Sequence, residues 1–289
     1  MRLDDEREST NIDDERGSGG GGGGRGPLKV GIGGILLALG ALYFGVDPKI
    51  VFSLLEGSAS SGNQTTVVAQ QPAQGPDPQK QFIARILAST EDVWTSYFQQ
   101  MGRTYHQPRL VLFTGGTQSA CGYAQTSVGP FYCPADHKVY LDLAFFQELK
   151  NRLGAGGDFA RAYVVAHEVG HHVQNELGIM ERLDRQGGGM SERGATGASV
   201  RTELQADCFA GVWAKRANDA RSILQSGDVQ EGLNAASAVG DDRLEKQGQG
   251  YVVPDSFTHG TSAQRVNWFS RGLQTGDIRQ CDTFNAPAL

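Results

Sequence analysis

The sequence predicts an α+β domain preceded by one transmembrane helix. Three observations carry that reading. An uncharged run, VGIGGILLALGALYFGV, occupies 30–46. Two segments rich in β-formers, RLVLFT at 109–114 and KVYLDLAFF at 138–146, are separated by turn residues. Helical periodicity then dominates, at 158–178, 202–217 and 228–246, with an earlier helix at 82–100.

The first 27 residues are charged and then glycine-rich, ending in GSGGGGGG at 17–24. Such a composition buries no core and predicts a disordered tail over 1–27. The apolar segment falls within an anchor at 28–46. Seventeen helical residues rise about 25 Å, enough to cross a bilayer core when flanking side chains snorkel. Arg2, Arg7, Arg16, Arg25 and Lys29 precede the segment, whereas only Lys49 follows it closely. The positive-inside rule therefore predicts a single-pass protein of the cytoplasmic membrane, its N-terminus in the cytoplasm and the remainder outside. Residues 47–79 are rich in Gly, Ser, Gln and Pro and read as a flexible linker. The globular domain is expected over 80–289. A net charge of −6 argues against a nucleic-acid partner.

The segment 164–174, VVAHEVGHHVQ, places three of the chain's six histidines and a glutamate in an apolar helix. His167, Glu168 and His171 match HExxH. Two imidazoles at i and i+4 lie on one helical face and can reach one metal ion. The intervening glutamate can take a proton from a water that the metal acidifies. Asp158 is expected to cap this helix and Gly178 to end it. His172 points about 100° away and reads as structural or surface. His106 and His137 belong to no motif and read as surface groups.

A catalytic zinc has three protein ligands. Position 177 is Leu, which excludes the extended HExxHxxGxxH form. The better third ligand is Glu203, in TELQADCFAGVWAKRA at 202–217. Asp207, one turn later, can hydrogen-bond the far nitrogen of a ligand histidine. An unpaired carboxylate on so apolar a helix would be costly. The pattern predicts one zinc per chain.

With HEVGHH, ELQADCFAG and GPFYCPAD (129–136) in view, the chain resembles the bacterial putative neutral zinc metallopeptidase family. The likeness runs over nearly the whole chain, including RESTNIDDERG near its start. It implies a zincin fold of the gluzincin type and membrane anchoring. It also implies zinc on His167, His171 and Glu203, with Glu168 as base. The segment SFTHGTSAQRVNWF at 256–269 resembles one that follows the active-site helices in some membrane-associated gluzincins. By that likeness His259 stabilises the oxyanion, and Arg265 pairs with Glu203 or Asp207.

Export makes the four cysteines candidates for disulfides. Cys121 and Cys133 flank a turn-rich stretch, which leaves Cys208 with Cys281. A free, reactive Cys208 is the alternative, but its neighbours supply no base. Residues 186–197 read as a lid or a linker. The expected activity is zinc-dependent hydrolysis of peptide bonds by an endopeptidase acting outside the cytoplasmic membrane, with Glu168 activating the water. An intramembrane protease is the less favoured reading, since Arg161 and Glu176 make the motif helix too polar to span a membrane. The partner is a peptide or protein substrate. The competing reading is a non-catalytic zinc scaffold or chaperone.

Overall fold

The computed structural model describes residues 1–17, 76–185 and 192–289. Helix α1 (Pro78–Gln100) begins where Asp77 accepts hydrogen bonds from the amides of Gln79 and Lys80. A four-stranded sheet follows, in the order β1 (Ile12–Asp14), β2 (Arg109–Phe113), β6 (Lys138–Asp142), β5 (Phe131–Cys133). β1 and β6 run parallel to β2, and β5 is the antiparallel edge. Between β2 and β5 a separate hairpin forms from β3 (Gly116–Ser119) and β4 (Gly122–Gln125). The helices are α2 (Ala144–Asn151), α3 (Asp158–Glu176), α4 (Ile179–Arg185), α5 (Ala198–Arg221), α6 (Asp228–Ala238), α7 (Asp241–Gln249) and α8 (Ser262–Thr275).

The α+β class holds, with local departures. The run 138–146 is split: β6 ends at Asp142, whose carboxylate accepts the Ala144 amide and turns the chain into α2. The expected helix 228–246 is two helices, separated at Val239 and Gly240. Gly157, with φ 116°, is the N-cap of α3, and Asp158 is its first residue. Helix α1 starts at Pro78, two residues before the expected boundary at 80.

The larger correction concerns the N-terminus. Residues 1–17 are part of the fold, not a disordered tail. Leu3 is buried, and Ile12, Asp13 and Asp14 pair with Leu110, Val111 and Leu112. The buried Glu91 accepts hydrogen bonds from Arg7, Ser9 and Asn11. A buried carboxylate needs such partners, and this charged peptide supplies them. Residues 1–17 and 76–289 therefore lie on one side of any bilayer. One crossing at 28–46 would part them, so the expected single-pass orientation conflicts with these contacts. The anchor segment, the glycine run and most of the linker lie outside the described residues. Among the described residues no helix is long and apolar enough to cross a membrane.

Helix α3 is the centre of the core. Phe159, Val165, Val169 and Val173 are buried at helical spacing. Each such side chain contributes about 1.5–3 kcal/mol through burial. Helix α5 packs against it, with Trp213 stacked on Phe159 at 6.2 Å. The close approach depends on Gly170 inside the HEVGH motif. A Cβ there would stand 2.9 Å from the Ala206 carbonyl oxygen. Helix α8 crosses α5 through Gly272, where a Cβ would meet the Cys208 carbonyl oxygen at 1.9 Å.

Two disulfides are present, Cys121–Cys133 and Cys208–Cys281. The first ties the β3–β4 turn to β5. The second ties α5 to the C-terminal segment across 73 residues of sequence. Replacing Cys208 and Cys281 together with Ala is expected to cost about 2–5 kcal/mol, read from denaturant unfolding.

Candidate metal centre

His167 and His171 face α5 one turn apart, and Glu203 meets both. His167 Nε2 lies 3.1 Å from Glu203 Oε2, and His171 Nε2 lies 3.3 Å from Glu203 Oε1. The three donor atoms lie within 4.8 Å of one another. The far nitrogens are held from behind. Asp207 Oδ1 accepts from His167 Nδ1 at 2.8 Å, and Gln174 Oε1 accepts from His171 Nδ1 at 2.9 Å. Each ring thus directs its Nε2 lone pair at the shared point, the arrangement that second-shell partners impose on metal-binding histidines.

This donor set fits a zinc ion: two imidazoles and one carboxylate. Its electrostatics also call for a cation. Burial opposes a charge on His167, yet Asp207 and Glu203 carry its pKa up to about 10. Glu203 is held well below the usual carboxylate range: burial works against this, and the two histidines overcome it. A proton at His167 and a metal ion satisfy the same demand.

Arg265 completes the support. Its Nε and a terminal nitrogen donate to the two oxygens of the fully buried Asp207, at 2.8 and 3.0 Å. Of the two carboxylates expected for it, Arg265 hydrogen-bonds Asp207. Tyr163, one turn before His167, also donates its hydroxyl to Asp207. Burial would raise the Asp207 pKa, but Arg265 and His167 bring it below the usual value.

Glu168 lines the cavity of about 480 Å³ that also holds His167, His171, Glu203 and His259. It is 8% exposed, and that burial raises its pKa. His259 sits at the rim with its side chain 49% exposed. Its Nδ1 lies 3.0 Å from Asp241 Oδ1, while Asp241 Oδ2 accepts the amides of Thr258, His259 and Gly260. Asp241 therefore fixes the loop and leaves His259 Nε2 to the cavity. On the opposite face of α3, His172 is buried, and desolvation lowers its pKa to about 4.

Sequence reasoning missed Tyr163, Gln174 and Asp241. Tyr163 had a signal, because 163, 167 and 171 share one helical face. Gln174 is one turn beyond His171. Asp241 had none, since its role depends on where a loop 17 residues later returns.

A family profile described as "putative neutral zinc metallopeptidase" matches residues 1–284. The chain belongs to this family. Among relatives of this zinc metallopeptidase family is the uncharacterized protein YpfJ of Escherichia coli K12. It is 48% identical over 98% of this chain and 99% of its own length. The uncharacterized proteins Mb2605 of Mycobacterium bovis and Rv2575 of Mycobacterium tuberculosis H37Rv are each 42% identical, over 86% of both chains. No solved structure matches the chain.

Proposed function

We propose that the protein is a zinc-dependent peptidase of the zincin type, acting on polypeptides outside the cytoplasmic membrane. The observation that carries this is the convergence of His167, His171 and Glu203 beside a buried glutamate in an open cleft. The three side chains would hold one zinc ion. Zinc bound there supplies Lewis acidity, which polarises a carbonyl and acidifies water.

The protein's own groups do the rest. Glu168 accepts a proton from water and returns it to the departing amine. Its raised pKa suits both steps. His259, oriented by Asp241, donates to the oxygen that gains charge. Tyr163, Asp207 and Arg265 hold His167 in one tautomer. Substrate has a natural seat at β5, the edge of the sheet. Phe131 and Tyr132 of that strand line the cleft, so an extended peptide can add to it by backbone pairing. The disulfides support an oxidising compartment.

A chelator is expected to abolish cleavage of an unstructured protein such as casein, and zinc to restore it. Cleavage that persists after the metal is shown to be gone would overturn the reading.

A further inference from the structure

The chain's six histidines fall into two groups of three, each with a glutamate. His167, His171 and His259 surround Glu203. His106, His137 and His172 surround Glu176, on the other face of α3. We propose that this second group is a divalent-metal site, with His137, His172 and Glu176 as its ligands and zinc-class ions as its occupants.

The donor geometry supports it. One nitrogen from each of His137 and His172 and one oxygen of Glu176 lie within 4.8 Å of one another. His172 and Glu176 are one helical turn apart, so they share a face. His172 Nε2 donates to the His106 carbonyl oxygen at 2.6 Å. That bond fixes the tautomer and leaves the Nδ1 lone pair for the cluster, as backbone carbonyls do behind metal-binding histidines. The Tyr132 hydroxyl meets that lone pair at 3.1 Å and is the group an ion would displace.

His137 is placed by the turn that carries it. Its φ of 58° is left-handed, in the turn between β5 and β6. Among non-glycine residues, histidine is one of those that adopt this region most readily. The turn brings His137 Nδ1 to 4.0 Å from Glu176 Oε1 and to 3.3 Å from Asn175 Nδ2, which donates to it. His106 Nδ1 stands 2.9 Å from Glu176 Oε2 and is available as a fourth donor. Two imidazoles and a carboxylate suit zinc, nickel or copper rather than calcium or magnesium.

An ion here would fasten the β5–β6 turn to α3. It would also act on Tyr132, which lines the catalytic cleft. The site thus gives excess metal a route to the substrate edge that does not pass through the catalytic ligands. It does not depend on the peptidase reading.

The test is zinc binding to the full chain by equilibrium dialysis with elemental analysis. Wild type should reach two ions per chain at saturating zinc and fall to one against a weak chelator. The pair His137→Ala, Glu176→Gln should bind one ion at most, at the tight site. Glu203→Gln should keep the weaker ion. Cobalt added to Glu203→Gln should give a visible absorption band, absent when His137→Ala is added. His137 is exposed, so its loss leaves the core intact. Saturation of wild type at one ion, or undiminished binding by the His137→Ala, Glu176→Gln pair, would overturn the proposal.

Discussion

Glu168→Gln should lower peptide hydrolysis by roughly 10²–10⁴-fold, the range for loss of a general base. The amide keeps the volume and removes the proton acceptor. Zinc content should not change, because Glu168 is not among the three converging donors. Melting temperature should hold or rise, since burial penalises the Glu168 charge in wild type. In wild type activity should rise with pH as Glu168 loses its proton, and Glu168→Gln should lack that acid limb. The measurement needs kcat/KM and zinc from the same preparation. A variant as fast as wild type, fully loaded with zinc, would favour the scaffold reading.

Arg265→Ala should destabilise the domain by about 3–5 kcal/mol, because it strands a buried carboxylate without its cation. Asp207 is fully buried, and Arg265 bonds both its oxygens. Denaturant unfolding at neutral pH measures the loss. Asp207→Asn separates support of the ligand from support of the fold. It keeps the shape, yet zinc affinity should drop 10–100-fold, the usual penalty for losing a partner behind a ligand histidine. A stability change below about 1 kcal/mol for Arg265→Ala would show that water replaces the guanidinium, contrary to the burial seen here.

Much of the site was legible because helices convert spacing into direction. HEVGH sets two imidazoles on one face, and ELQAD sets two carboxylates on the facing helix. Gly170 lets the two helices close. What was not legible depends on the return of distant chain. Asp241 acts on residues 258–260, and the placing of Arg265 under Asp207 was expected only from the likeness of segment 256–269. Local periodicity carries neither fact. The N-terminal peptide was misread for a related reason. Its charges look solvated in sequence, but Arg7, Ser9 and Asn11 answer one carboxylate, Glu91, some eighty residues on. The two strands of the β3–β4 hairpin were equally silent, being short and polar.

The β1–β2 pairing has a consequence for the order of assembly. Ile12 and Leu110 are partners 98 positions apart (110 minus 12). Closing a loop of that length costs on the order of 4 kcal/mol in chain entropy. Three residues of ladder and the Glu91 contacts must exceed that cost, and they can do so only once α1 and β2 are in place. The helices that carry the metal ligands make their mutual contacts without β1. Strand β1 is thus among the last to dock, and in the folded state it is a natural unit of local opening. Maturation of the sheet edge and maturation of the metal centre become separable events in the life of one chain.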